Sequence, residues 1–597
     1  MATKRRIKEE DFDHIAEYVK DQFERRKKNR VDLDRQITEI DRQVAMRPKN
    51  DHKTFEDGTV DPRRAWLPEI ELPLQAEALE TLTSDSRAME FPDSGPWYAA
   101  HSETSDEYLE RADLSGIIAG EENDIPSIIT QDSADKLVMG FLNHFHRQYD
   151  FFGNVDVINA EALSYGAGVA RVKRTQKTVF LNTARGVVRE DMKFPVLIPR
   201  SIKTTYLDDR KHILMHEGFT VGPLTIFCDM RALSDVQKQA RKGSTDPNTE
   251  TGGWRPKILG KLDPDDKGNI QLLEAEGDFI IPRKTNGAIS LPGTIVTVAV
   301  GNNAVKVVRL RFRQDPFNSV LEFHYNKENV GTPYGSSPLR KGLPLQAMAV
   351  ESLMRVVEAS AINSQPPIGY DRSDMWFAQS GGPNWEPSAQ WPTLGEIVVH
   401  RGGDPAALFV VYQGFLKQYA DAVGIQQGRL GAQTVSHTTA FAKNAELQRG
   451  QVRTVDYVRS TLKGPLTQFL DMEYKMAKGF KGKQSFWIES YRGFVEIEDK
   501  HLPDKVVFEA HGAGEPQEQQ LIRERKLASL REAFQIDQIN IQLGGQPILS
   551  FNSTIEQTLL EGGWPDIDPL LNPESELQGP AEDQAQTALT QEELGIV

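Results

Sequence analysis

The apolar residues of this chain change their spacing twice, and that alternation limits the folds open to it. From 73 to 164 they recur every third or fourth position, as in "PSIITQDSADKLVMGFLNHFHRQYDF" and "NVDVINAEALSYGAG", where Gly166 and Gly168 are placed to stop the second helix. From about 168 to 328 the spacing drops to two. "VARVKR", "FPVLIP", "GTIVTVAV", "AVKVVRLRFR" and "SVLEFHY" are short, β-branched and broken by Gly, Pro, Asn and Asp, which predicts strands of a mixed sheet. One helix, "RALSDVQKQARKG", interrupts them, and the Gly/Asp-rich stretch 243–270 reads as an exposed excursion. Helical spacing returns after 331. The fold class is therefore α+β, with helices on both sides of the strands in sequence.

Ahead of all this, residues 11–45 read as one charged helix with Ile15, Val19, Phe23, Leu33, Ile37 and Ile40 as a broken apolar stripe. The run "RRKKNR" within it reads as a solvated face in preference to a nucleic-acid contact. Residues 46–70 are polar and Pro-containing, hence a loop. At the other end "EPQEQQLIRERKLASLREAFQ" is a strong helical pattern, and the segment from 573 is acidic, Gln-rich and without aromatics, a composition that favours a mobile tail.

Charge and cysteine content exclude several function classes. Lys and Arg number 70 against 86 Asp and Glu, a net charge of -16, the wrong sign for a protein that gains affinity by neutralising phosphates. A single cysteine, Cys228, rules out an intramolecular disulfide and any multi-cysteine metal site and suits a reducing compartment. No apolar core follows the basic N-terminus and no run of about 18 apolar residues occurs, so neither secretion nor a membrane span is expected. At 597 residues, two to four domains are expected.

Motifs for chemistry are missing. No G-x-x-x-x-G-K-[ST] loop, H-E-x-x-H pair or G-x-S-x-G elbow is present, and "GAGVARVK" lacks the third glycine of a dinucleotide loop. "DPDDKGNIQLLE" places Asp263, Asp265, Gly268 and Glu274 at calcium-loop positions but puts Lys267 where an oxygen ligand belongs; an exposed acidic turn is the better reading. His144 and His146, two apart in a helical pattern, point to different faces. The expectation is no enzyme, no cofactor and no metal.

Beyond residue 331 the segments come in a definite order. A Gly/Pro/Ser turn, "PYGSSPL", leads into a clean helix over 344–361, with Pro344 in its first turn and Leu345, Ala349, Leu353, Val356 and Ser360 along one face. Pro366-Pro367 stops it. A Pro/Gly/Trp-rich excursion ends in the strand "EIVVH", a second helix spans about 411–429, and the polar bend "GAQTVSHTT" precedes a long helix from Thr439 to about Lys478 with a kink at Gly464-Pro465.

That order resembles the portal proteins of tailed bacteriophages, the head-to-tail connectors, and most closely the large connectors of short-tailed phages. The likeness is carried by the turn Tyr334, Gly335, Ser337 and Pro338. It is carried also by "TAFAKNAELQRGQVRTVDYVRSTLKGPLTQFLDMEY", where Thr439, Ala440, Glu446, Arg449, Pro465 and Leu466 stand at the matching places. Phe441 to Asn444 depart from the many relatives that carry an acidic residue soon after the Ala. The resemblance covers about 331–480 and implies a portal-type fold assembling into a ring. Its parts would be N-terminal helices and a mixed α/β wing (1–330), a first stem helix with its lead-in turn (331–365), an irregular clip (366–410), a second stem helix (411–431), a tunnel loop (432–439), a long kinked helix with wing strands (440–512), a helical crown (513–572) and the tail (573–597).

It implies further that Gln433, Thr434, Ser436, His437 and Thr438 line the DNA channel, and that Arg372, Asp374, Trp376, Trp385 and Trp391 meet partners at the clip. The partners would be about a dozen copies of the chain itself, double-stranded DNA passing without sequence specificity, the terminase packaging motor, a neck or tail adaptor, and the major capsid and scaffolding proteins. No membrane is involved; the place would be a capsid vertex of the virion, assembled in the host cytoplasm. The alternatives are another head-tail structural protein, an adaptor or internal core protein, or a metal-dependent nuclease. The first would lack the rod, excursion, rod order; the second would need a cluster of acids that the sequence does not display.

Overall fold

The N-terminal helical pattern divides at a buried arginine. In the computed structural model α1 (Glu9–Asn29) lays Ile15, Val19 and Phe23 against a sheet, while α2 (Val31–Val44) turns Ile37 and Ile40 into other cores. The break follows from Arg30, whose guanidinium donates to the carbonyls of Ile202, Lys203 and Thr205 and pairs with Asp34 at 2.8 Å. Arg26, also buried, donates to the carbonyls of Tyr206 and Leu224 and pairs with Asp208. The expected solvated face thus holds for Arg25, Lys27 and Lys28. The other two arginines satisfy backbone carbonyls that would otherwise be buried without donors.

The structure describes residues 9–48, 66, 69–91, 97–103, 131–183, 186–208, 224–249, 252–282, 288–302, 304–313, 318–326, 333–371, 387–393, 398–399, 403–425, 453–478, 484–488 and 493–512. All of them fall in one unit, 1–91 with 97–512, and the predicted crown and tail lie outside them. Helices and sheets are both present, so the chain is α+β. No described helix is long and apolar enough to cross a membrane.

After α2 come α3 (Leu74–Glu90), β1 (Tyr98–Ser102), α4 (Gln131–Gln148) and α5 (Phe151–Tyr165). The predicted helix through Phe151 is interrupted at Asp150, whose carboxylate accepts from the Gly153 N–H at 3.0 Å and starts α5 afresh. β2 (Ala167–Thr183) and β3 (Gly186–Arg200) form a long antiparallel hairpin.

A five-stranded antiparallel sheet follows, in the order β4 (Thr205–Tyr206), β5 (Thr225–Ala232), β6 (Asn269–Pro282), β7 (Ala288–Val300), β8 (Val305–Phe312). Period-two spacing sorts its faces. Leu273 and Ala275 pack against α1, and Ile270 and Leu272 pack on the opposite side. There they meet α6 (Leu233–Lys242) and α7 (Pro256–Leu259). The stretch 243–270 is therefore no exposed excursion throughout. Trp254, Leu259 and Leu262 are buried with Val236 and Ala240 as a third layer. In the acidic turn Asp265 accepts from the N–H groups of Lys267 and Asn269, and Glu274 is turned to Arg171 instead.

That arginine joins the two sheets. β9 (Val320–His324) pairs with the start of β2, giving the order β3-β2-β9. Arg171 of β2 is fully buried, paired with Glu274 and, at 2.6 Å, with Glu276 of β6, its guanidinium over the Phe227 ring. Ser319 donates to Glu276 as well. Burial alone would raise the Glu274 carboxyl, but Arg171 and then Lys173 hold it well below the usual carboxylate range. Lys173, itself desolvated and repelled by Arg171, is lowered to about 8.

The largest core gathers α3, α4 and α5 with the later helices. His146 stacks on Phe151, centroids 4.3 Å apart, and its Nε2 lies 2.8 Å from Glu473 Oε2; it is a core histidine. β1 closes on β15 (Val506–Ala510), Tyr98 opposite Ala510, which brings distant parts of the chain together.

Glu90, at the end of α3, is buried; Asn159 donates to it at 2.7 Å and Tyr457 donates in turn to Asn159. Burial pushes its carboxyl up to about 8. A carboxyl raised in the fold is protonated there and ionised in the unfolded chain, so stability falls as pH climbs from the ordinary carboxylate value to about 8. Glu90→Gln is expected to flatten that decline and to raise the melting temperature at pH 8 to 9 by roughly a few degrees. Thermal melts across pH check this; parallel curves for the two proteins would refute it.

Candidate functional site

The turn at 333–337 is a clasp. Gly335 crosses Gly166, the left-handed residue (φ +96) that ends α5, so closely that a Cβ on either would come within 2.1 to 2.4 Å of the other's carbonyl oxygen. The Tyr334 hydroxyl accepts from the Leu207 N–H at 3.2 Å, and Arg30 stands over its ring. Ser337 serves two helices at once. Its oxygen accepts from the Arg340 N–H, capping the next helix, and its hydroxyl lies 2.7 and 2.6 Å from the Leu163 and Ser164 carbonyls at the end of α5. Arg340 donates to the Tyr165 carbonyl at 2.9 Å.

The helix so launched, α8 (Pro338–Ser364), begins six residues before the predicted Pro344. Pro338 occupies the first helical position, and Pro344 sits inside on the exposed side, where it forgoes one backbone bond. Its 27 residues make a rod of about 40 Å. Of the face predicted to be apolar, Ala349 is buried, Leu345, Leu353 and Val356 are half-buried and Ser360 is exposed. The buried stripe is instead Leu339, Gly342, Gln346 and Ala349. Gly342 explains the rotation, because a Cβ there would stand 2.6 Å from Tyr419 and 2.9 Å from Val423 of the returning helix. Gln346 donates to Glu71 and the Leu72 carbonyl and accepts from the Gln75 N–H. A lone amide in an apolar stripe is its only signal in the sequence.

Between the rods lies a small mixed sheet. β10 (Ile368–Asp371) is flanked by β11 (Gln390–Thr393), parallel, and β12 (Val398–Val399), antiparallel. The excursion is thus not wholly irregular. Trp391 stands in β11 opposite Gly369; Arg372, Asp374, Trp376 and Trp385 lie outside the described residues. α9 (Pro405–Val423) then returns antiparallel, starting at an Asp404 cap earlier than predicted and ending at the left-handed Gly424. Asn363, near the end of α8, donates to the Gly403 carbonyl at 3.0 Å, and Tyr419 and Val423 meet Gly342 near its start.

The packing of this hairpin is uneven. The second half of α9 buries Leu416, Tyr419, Ala420 and Val423. Its first half leaves Phe409, Val410 and Val411 exposed at 43, 67 and 50%, and Met348 of α8 is exposed at 48%. Water is a poor neighbour for so many apolar side chains on adjoining rods.

The channel candidates Gln433, Thr434, Ser436, His437 and Thr438, and Thr439, Ala440, Glu446 and Arg449, lie outside the described residues. Of the predicted long helix the described part is α10 (453–461), which runs into α11 (Thr467–Ala477) through a π-helical turn, Leu462–Leu466. The predicted kink at Pro465 takes that form, with Leu466 fully buried and the Thr467 hydroxyl donating to the Leu462 carbonyl at 2.6 Å. A hairpin, β13 (Gln484–Ile488) and β14 (Gly493–Ile497), follows. Among the described residues no group of three or more His, Cys, Asp or Glu is placed to hold a metal ion. No protein-family model matches the chain, and no curated protein matches it.

Ser337→Ala removes a cap and takes away the one hydroxyl proton offered to the buried Leu163 and Ser164 carbonyls of α5. The expected loss is about 1 to 3 kcal/mol, against roughly 0.5 or less for Ser336→Ala. Urea denaturation of both variants checks it; equal losses would show that the Ser337 hydroxyl holds nothing.

Proposed function

We propose that this chain is the subunit of a portal ring, the DNA channel at one capsid vertex through which a genome is packaged and later ejected. One observation carries the reading: α8 and α9 form an antiparallel pair of rods joined through a small sheet, and the first half of α9 presents Phe409, Val410 and Val411 to solvent. A helical hairpin with an apolar flank is satisfied when copies stand side by side, each flank covered by the next copy around a closed ring. The lead-in turn, the returning rod and the π-turn at Pro465 follow the order of the family the sequence resembles.

In this role the chain performs no bond chemistry. A net charge of -16 keeps a sliding polyanion from being gripped, since each phosphate firmly neutralised adds affinity and hence friction. The module around β10, β11 and β12 is the end that docks the packaging motor and afterwards a neck or tail adaptor, with Trp391 and the neighbouring tryptophans as anchors. Gln433, Thr434, Ser436, His437 and Thr438 would line the narrowest part with polar groups.

Electron microscopy of the purified chain tests the proposal. Rings of about a dozen copies with an open axial hole are expected, and the pair Val410→Glu with Val411→Glu is expected to cut the ring fraction more than tenfold, an effect above about 1.4 kcal/mol. A monomer or dimer persisting at high concentration in the unaltered chain would overturn it.

A further inference from the structure

A cavity of about 690 Å³ opens where β9, the first turn of α8 and the run from α10 into α11 come together. Its size lies within the range of small-molecule sites, roughly 300 to 1,000 Å³. Three distant parts of the chain build it: Glu322, His324 and Tyr325 from β9 and its exit, Lys341 from α8, and Arg453 and Asp456 from α10. The π-turn supplies another wall, where a Cβ on Gly464 would meet nothing within 4 Å. Turns of this kind are frequent at functional sites.

Two side chains of the wall keep a buried polar atom unused. The His324 side chain is 7% exposed; its Nε2 lies 3.2 Å from Glu322 Oε2, and its Nδ1 has no hydrogen-bond partner among the described residues. A carboxylate only accepts, so in the neutral ring Nε2 carries the proton and Nδ1 offers a lone pair. The Tyr325 hydroxyl is likewise buried without a partner among the described residues. Burial pushes that hydroxyl up to about 12, so it keeps its proton and can donate; Arg453 and Asp456 both stand near enough to act on it. A fold gains nothing from such unpaired groups, and each calls for an explanation beyond packing. Near Tyr325 the donors exceed the acceptors. Lys341 is exposed and has no ion-pair partner among the described residues. Arg453 gives one nitrogen to the Ala422 carbonyl at 2.9 Å and has others to offer, with Asp456 as the acid beside it. We infer that the cavity binds a small hydroxylated anion of the sugar phosphate class, its phosphate accepting from Lys341, Arg453 and Tyr325 and a hydroxyl donating to His324 Nδ1. A bare oxyanion would satisfy the donors and leave Nδ1 empty, which is why the ligand carries a hydroxyl as well. Such a site is independent of the ring reading above.

Titration calorimetry of the full chain with ribose-5-phosphate, at constant ionic strength in chloride, tests it. Saturable binding at one site per chain is expected, with inorganic phosphate about tenfold weaker. Lys341→Met and Tyr325→Phe are each expected to weaken the sugar phosphate about tenfold or more, whereas Lys242→Met, the same charge lost from α6, leaves it unchanged. Without ligand, Tyr325→Phe is expected to melt no lower than the unaltered chain, because the hydroxyl it removes has no partner in the fold. Absence of saturable binding would overturn the inference, as would inorganic phosphate binding as tightly as ribose-5-phosphate. A Tyr325→Phe chain that melts lower yet binds unchanged would give the hydroxyl a structural duty alone and overturn it too.

Discussion

The helical hairpin that follows residue 333 takes its direction from one close crossing of backbone, Gly166 against Gly335. Two glycines are required because each carbonyl occupies the space a neighbouring Cβ would need. The crossing brings the end of α5 and the start of α8 within reach of a single hydroxyl, that of Ser337, which meets the needs of both helix ends. From there α8 can only run one way. The position of α9, and of the small sheet between the rods, is set by that choice and by the close approach at Gly342.

The buried charges follow a common logic. Arg26 and Arg30 donate to loop carbonyls, Arg171 sits among the carboxylates of β6, and Glu473 faces His146. Each lies where separate layers meet. Removing one partner of such a set leaves an uncompensated charge in a low-dielectric place, which costs far more than the intact set contributes. These groups therefore specify how layers register more than they add to stability.

Much of the fold is legible in the residues alone. The period-two segments form strands, Gly166 ends its helix, and the two rods and their intervening excursion lie in the predicted order. The misreadings share a cause. Pro344 and the apolar spacing put the starts of α8 and α9 too late, whereas Ser337-Pro338 and Asp404-Pro405, each a cap with a first-turn proline after it, mark the true starts. The basic run reads as solvated because nothing local says that Arg26 and Arg30 meet carbonyls about 170 to 200 residues away. Likewise Gln346 and the Gly342 contact depend on which helix returns, and spacing along one segment carries no such information. The four turn residues Tyr334, Gly335, Ser337 and Pro338 stand out by likeness, and their individual contacts explain why each residue type is needed there.

The π-turn at Leu462–Leu466 also sets a phase. It holds one residue more than an α-turn, and each residue turns a helix by about 100°. With that extra residue in place, Val455 and Val458 before the turn and Phe469 and Leu470 after it all reach the same core. Deleting one residue of the turn would remove the extra residue, yet would swing one half of the helix away from its seat by about a quarter of a revolution. The number of residues in this segment is therefore under tighter constraint than their identity, and a helix that looks locally flawed is the one whose two halves agree.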